Sequence, residues 1–101
     1  MSKIIKFKQW NCKVIKSKYM ENERIALILK DAETGEPVAT ASVNIVDYTM
    51  SDKSAETHTF IKDWGENKGM LQALIDQNVV EDTGISWPTG FVEANLVKVL
   101  I

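Results

Sequence analysis

His58 and Cys12 are the two side chains of this sequence best suited to acid–base, nucleophilic or metal chemistry. One histidine and one cysteine cannot supply the three or four nitrogen and sulfur ligands that a zinc site needs. His58 is the sole imidazole available as a base, and it lies in a strand-like stretch where it shares a face with Phe60. A lone cysteine is more often a small buried apolar residue than a nucleophile. The sequence therefore predicts a non-enzymatic protein with no metal, no cofactor and no catalytic residue. An enzyme or small-ligand binder centred on His58 is a third hypothesis.

The segment Gly65–Gly69 (GENKG) bears a superficial likeness to a phosphate-binding loop. It lacks the GxxxxGK[ST] pattern of such loops. Free N–H groups at a helix start can hold an anion, but the carboxylate of Glu66 would repel a phosphate there. We therefore expect a structural turn that leads into a helix.

Lysines dominate the start of the chain. Residues 1–20 hold six lysines and no acid, whereas the remaining residues carry 6 basic and 14 acidic side chains, which gives charges of +6 and −8. One interpretation is that the lysines line an exposed face or edge of the first strands, where they discourage edge-to-edge pairing. The other is a basic patch for phosphate or for an acidic partner. On the second interpretation, the partner-binding residues are Lys6, Lys8, Trp10, Lys13, Lys16, Lys18 and Tyr19.

One helix stands out in a sequence that otherwise reads as strands and turns. Asn67 is suited to an N-cap, and Asn78 to a left-handed stop. Between them, four large apolar residues recur at helical spacing and form one stripe. They are Met70, Leu71, Leu74 and Ile75. The stripe predicts a helix over about residues 67–77 that lies on a sheet.

Strands are predicted on both sides of this helix. Residues 3–9 and 12–19 read as two strands, and Trp10–Asn11 is a turn, a bulge or the middle of one bent strand. The apolar run of residues 24–30 predicts a central strand. Gly35 then supplies the positive φ for a hairpin into residues 38–46, whose alternation places Ala39, Ala41, Val43 and Ile45 on one side.

The rest of the chain predicts further strands at residues 57–62 and 91–101, with glycine turns near 84 and 90. Together the elements predict an α+β fold, a mostly antiparallel sheet of five to seven strands with one α-helix packed on one face. With 101 residues the chain is expected to form a single domain over residues 1–101. The apolar C-terminal strand either pairs inside the sheet or supplies an edge for a homodimer.

No apolar run approaches the roughly 20 residues that span a bilayer, and the single cysteine is typical of a reducing cytoplasm. Lysines interleaved with Trp10 or Tyr19 would suit stacking and phosphate contacts, so nucleic acid is an alternative partner. The lack of clustered arginine and the excess of acids elsewhere weaken that alternative.

Three motifs resemble those of a small uncharacterised family of bacteriophage and mobile-genetic-element proteins, a domain of unknown function. They are ETGEPVATASVNI, IKDWGENKGMLQALIDQNVV, and a TG followed by GFVEANLVKVL, and the resemblance covers roughly residues 23–100. The resemblance implies a phage or mobile-element accessory protein in the bacterial host cytoplasm, and it transfers no catalytic residue. We expect such a protein to act through protein–protein interaction, inhibiting or modulating a host defence system. The lysine-rich first 20 residues lie outside the resemblance.

Overall fold

The computed structural model describes residues 3–101 and is mostly β, with 49% of residues in strands. Two antiparallel sheets of four strands each account for these residues. The first sheet has the order β1-β2-β3-β4, with strands β1 (Lys3–Phe7), β2 (Trp10–Lys18), β3 (Ile25–Asp31) and β4 (Pro37–Thr40). The second has the order β5-β6-β8-β7, with strands β5 (Ser42–Val43), β6 (His58–Ile61), β7 (Val80–Thr89) and β8 (Val92–Val99).

The α+β prediction of one sheet of five to seven strands with a helix across one face is therefore wrong. Its error lies in residues 38–46, which alternate regularly in sequence but do not form one strand. The chain leaves the first sheet after Thr40 and enters the second at Ser42. As a result, Ala39 and Ala41 face the main core, whereas Val43 and Ile45 pack in a separate cluster on the far side of the second sheet.

This corner at Ala41 leaves backbone groups that no strand partner can satisfy, and side chains satisfy them instead. Ser42 Oγ accepts the N–H of Leu27 at 2.9 Å, and Thr59 Oγ1 donates to the carbonyl of Ile25 at 2.7 Å. Asn67 Nδ2 donates to the carbonyl of Thr40 at 2.7 Å. Ser42, Thr59 and Asn67 are all buried, as expected for polar groups whose burial is offset by hydrogen bonds.

The hairpins follow the local sequence. A two-residue turn at Lys8 and Gln9 joins β1 to β2, so Trp10 opens the second strand and is not itself in the turn. The predicted hairpin across Gly35 is confirmed, with Gly35 at φ 78°. Asp31 fixes this turn, because its Oδ1 accepts the N–H groups of Glu33 and Thr34.

Two helices lie between the strands, α1 (Asp52–Ala55) and α2 (Met70–Asp76). Helix α2 starts three residues later than predicted. Asn67 belongs to a 3-10 turn, and its side-chain amide donates a hydrogen bond to the carbonyl of Thr40. Asp63 caps α2 instead, because its Oδ1 accepts the N–H groups of Gly69 and Leu71. The predicted stop at Asn78 is confirmed by its left-handed φ of 60°.

The main core lies between the two sheets, and α2 closes its open side. Met70 and Leu74 are fully buried there, with Leu71 and Ile75 packed partly against the same cluster. Helix α2 contacts β1 and β7, which are the outer strands of the two sheets. The helix thus bridges two sheet edges and does not lie across one face.

Gln77 fastens this bridge to the free edge of β1. Its side-chain amide accepts the N–H of Lys6 at 2.7 Å and donates to the carbonyl of Lys6 at 2.8 Å. These two bonds reproduce what a neighbouring strand would offer, so the amide occupies part of an edge that is otherwise open to pairing.

The C-terminal strand lies inside the second sheet. Over Asn95–Lys98, β8 pairs with β6 on one side and with β7 on the other. A homodimer through the edge of this strand would have to displace one of them. The outer strands of this sheet are β5 and β7, and β7 continues with β8 beyond the end of β6 as a two-stranded hairpin.

Candidate interaction surface

The outer face of the first sheet is formed by alternate residues of β1, β2 and β3, because the other half of each strand faces the core. Three lysines and three isoleucines share this outer face, and we call them the basic face. They are Ile4, Lys6, Lys13, Ile15, Ile28 and Lys30.

Strand register brings the members of the basic face together. Lys13 lies directly opposite Ile4 on one side and Lys30 on the other, while Ile15 lies opposite Ile28. Directly opposite side chains in antiparallel strands have Cβ atoms about 5 Å apart, and like charges at that distance repel. The fold therefore tolerates a Lys13–Lys30 repulsion on this face.

No acidic residue balances these lysines at the outer-face positions of residues 4–40. Within residues 3–101, the one side-chain salt bridge joins Lys62 to Glu66. Ile4 is 57% exposed, so apolar surface accompanies the positive charge. The basic face is thus an uncovered sheet surface that combines unpaired cations with branched aliphatic side chains.

Lys6 and Lys13 were expected from sequence to bind a partner, but Lys30 and the three isoleucines were not. Lys30 ends an apolar run that has no visible alternation, so its face could not be assigned before the register was known. The signal that would have found it is the polar, turn-like segment of residues 20–23, because the hairpin that it closes pairs β2 with β3 and sets Lys30 opposite Lys13.

Lys16 and Lys18 lie away from the basic face. Their positions on β2 have the same orientation as Cys12 and Val14, beyond the end of the core. Both line an open cavity of about 590 Å³ together with acidic residues of α1 and its C-terminal neighbour, Asp52 and Glu56. Lys16 Nζ also donates to the carbonyl oxygen of Ile101 at 3.0 Å. These two lysines therefore have negative groups nearby.

The predicted aromatic partners, Trp10 and Tyr19, are far apart. They lie at opposite ends of β2, and nine residues of strand span about 30 Å. The hydroxyl of Tyr19 shares a hydrogen bond of 2.8 Å with Ser42 Oγ, and the ring is half-buried. Lys8 Nζ donates to the carbonyl of Glu66 at 2.7 Å. The seven predicted residues therefore do not form one stacking platform.

The contacts of His58 and Cys12 are those expected of structural residues. His58 Nδ1 shares a hydrogen bond of 2.7 Å with Thr57 Oγ1, and the residue borders a cavity of about 260 Å³ lined by hydroxyl and apolar side chains. Cys12 is fully buried, as its type predicts. No cluster of three or more metal-ligating side chains occurs among residues 3–101.

Cys12 and Tyr19 give the fold a pH dependence. Burial raises the pKa of the Cys12 thiol above its ordinary 9.0, with a further rise from the Asp31 carboxylate. Burial also raises the pKa of the Tyr19 hydroxyl above 10.0. Both groups keep their protons longer when folded, so their contribution is complete below the unfolded pKa values and is lost as pH rises through the folded ones.

We therefore expect the urea midpoint of unfolding to fall as pH rises above about 9. Combining Tyr19→Phe with Cys12→Ala should make this decline shallower, because both titrating groups are gone. A midpoint that stays level or rises between pH 9 and 11 would contradict the assignment.

Comparisons of the chain with protein-family models, with curated proteins and with solved structures found no match. The phage-family resemblance therefore depends on the sequence motifs alone. Among residues 3–101, no helix has the length and apolar character needed to cross a bilayer.

Proposed function

We propose that this chain is a non-enzymatic accessory protein of phage or mobile-element type that binds an acidic surface of a host protein through the basic face. The binding would inhibit or modulate the host system, which the resemblance suggests is a defence system. The single observation that carries the proposal is the combination of three lysines, three exposed or half-exposed isoleucines and no acid on one uncovered sheet face.

The composition of the basic face favours a protein partner. The isoleucines offer apolar area, and its removal from water by another apolar surface would stabilise a complex. The lysines lie among the isoleucines and suit carboxylates of a partner, with which they speed association and exclude basic partners. A partner surface on which aliphatic or aromatic residues are interspersed with Asp and Glu would match both features.

Lys13 supplies the test. Lys13→Glu replaces a repulsive cross-strand pair with an attractive one, so the free energy of unfolding should rise by about 0.5 kcal/mol. The same change reverses the charge at the centre of the basic face, so capture of the partner should be lost. If Lys13→Glu is more stable than wild type but does not bind the partner, then Lys13 serves the interaction and not folding.

Pull-downs from bacterial lysate would compare wild type, Lys13→Glu/Lys30→Glu and a matched control, Lys53→Glu/Lys68→Glu. The control makes the same change in net charge at two exposed lysines outside the basic face. We expect wild type and the control to retain the same protein and the basic-face variant to lose it. Equal capture by all three, or repeated recovery of no protein, would refute the proposal.

Nucleic acid is the second candidate, and the lysines of the basic face are the feature that favours it. Phosphate contacts would make the affinity fall steeply as salt is raised. The basic face carries no aromatic ring on which a base could stack, which is why a protein partner has better support. Anisotropy titrations with labelled DNA and RNA at several salt concentrations would test this, and a flat salt response or no binding would remove the candidate.

A further inference from the structure

The hairpin of residues 83–97, formed by the outer part of β7 and β8, has an unusual composition. Glu93 is its one charged residue among 15, against 26% charged residues in the whole chain. We call this hairpin the arm. Its large apolar side chains include three that are well exposed, Ile85 at 46%, Trp87 at 36% and Phe91 at 109%.

Phe91 has no structural reason to be apolar. It occupies the two-residue turn between Thr89 and Val92, and it is fully exposed. The turn itself needs only Gly90, whose φ of 62° suits the first position of a tight hairpin turn. A turn of this kind ordinarily carries a polar residue after the glycine, so the phenyl ring points to a role outside the fold.

A ladder of three aromatic rings supports the arm at Trp87, which lies opposite Ala94. The ring of Tyr48 packs edge-on against both Phe60 and Trp87, with centroids 5.1 Å apart in each pair. Arg24 holds this ladder in place, because its guanidinium donates to the carbonyl oxygens of Ile45 and Tyr48. The exposed part of Trp87 is thus presented in one orientation, which reduces the entropy lost on binding.

A proline and a β-bulge prevent another strand from pairing with the free edge of β7. Thr89 and Val92 close a two-residue hairpin and form a hydrogen-bonded pair, so Pro88 in the next pair directs its nitrogen away from β8. That nitrogen carries no hydrogen and cannot bond to an added strand. A bulge between Asp82 and Ile85 interrupts the edge further along. The arm is therefore expected to bind through its side chains and not by strand addition.

We propose that the arm is a dimer surface and that its partner is the arm of a second copy of this chain. A two-fold dimer brings like surfaces together, so its interface must not repel itself. The basic face fails this requirement, since three lysines would meet three lysines. The nearly uncharged arm meets it. The apolar area comes from the fully exposed ring of Phe91, since an aromatic side chain buries about 150–250 Å², and from the exposed parts of Ile85 and Trp87.

Such a dimer carries two basic faces on one particle, since the arm and the basic face belong to different sheets. A host assembly with repeated acidic sites would then be held at two points, and binding would strengthen through effective concentration. The dimer itself does not depend on the proposed host interaction, because it uses none of the lysines of the basic face.

Sedimentation velocity from low micromolar to millimolar protein tests the proposal, with wild type, Phe91→Ser, Ile85→Thr/Phe91→Ser and the basic-face variant Lys13→Glu. We expect wild type and Lys13→Glu to approach twice the 11.4 kDa chain mass as concentration rises. Both arm variants should stay monomeric with melting temperatures unchanged. Amide chemical shifts that move with concentration should lie in residues 83–97 and in the loop around Tyr48.

The proposal is overturned if wild type is monomeric over the whole range, which would leave the arm to a different protein. It is also overturned if Ile85→Thr/Phe91→Ser dimerises as well as wild type. Dimerisation lost in Lys13→Glu but kept in the arm variants would place the contact on the basic face and likewise refute it. Capture of a host protein through the basic face does not require the dimer, so failure here and failure of the proposed function are distinguishable.

Discussion

Replacing Arg24 with methionine should lower the free energy of unfolding by about 3 kcal/mol, since hydrogen bonds from a charged donor each contribute about 1.5–3 kcal/mol. The guanidinium donates to two carbonyl oxygens of the loop that covers Phe60, those of Ile45 and Tyr48. Methionine has similar length and keeps the apolar stem, so the loss isolates the polar contacts. Urea unfolding followed by near-ultraviolet circular dichroism would measure it, because the Tyr48–Trp87 packing contributes to that signal.

Arg24→Lys is the informative control. Lysine keeps the positive charge but cannot direct two N–H groups at two separate carbonyl oxygens in a fixed plane. We expect this variant to recover less than half of the lost stability. If Arg24→Met unfolds within about 0.5 kcal/mol of wild type, the effect usual for a surface substitution, then the guanidinium does not hold the loop.

Ser42→Ala should destabilise the fold by about 2 kcal/mol, the cost of leaving a buried donor without a partner. The hydroxyl oxygen of Ser42 accepts the N–H of Leu27, and no strand replaces it at the corner. The same oxygen is bonded to the hydroxyl of Tyr19. The substitution therefore removes the contact that joins the first sheet, the second sheet and the end of β2. Chemical denaturation would measure the loss.

Ser17→Ala serves as the matched control for Ser42→Ala, since Ser17 is an exposed serine of β2 and should change stability little. A double-mutant cycle with Tyr19→Phe separates the two bonds of Ser42. If the hydrogen bond between the Tyr19 and Ser42 hydroxyls stabilises the fold, Ser42→Ala should lower the free energy of unfolding less in the Tyr19→Phe background than in wild type. Fully additive losses would show that the Tyr19 hydroxyl and Ser42 are not energetically coupled.

Local features of the fold could be predicted because each depends on residues close in sequence. Gly35 marks its hairpin through the positive φ that the turn requires, and Asn78 marks the end of α2 in the same way. The apolar stripe of α2 is visible because helical spacing brings its members to one side. In these cases the physical cause and the sequence signal lie within a few residues of each other.

The division into two sheets could not be predicted, because its cause is distributed. The alternation of residues 38–46 is unbroken at Ala41. Thr59 and Asn67, which are distant from it in sequence, satisfy the backbone carbonyl groups of the corner. Asn67 therefore looked like a helix cap when read beside its neighbours. The same applies to the basic face, where Lys30 joins Lys13 through strand register and not through proximity in the chain.

The amide of Gln77 has a consequence for the order in which the molecule assembles. It joins two positions that are 71 residues apart, and hairpins such as β1–β2 close over far shorter stretches. Closing so long a segment is entropically costly and is expected after the local hairpins have formed. Exchange of the Lys6 N–H with solvent deuterium requires this hydrogen bond to open. The exchange rate of this single proton thus records how often the contact between Gln77 and β1 opens.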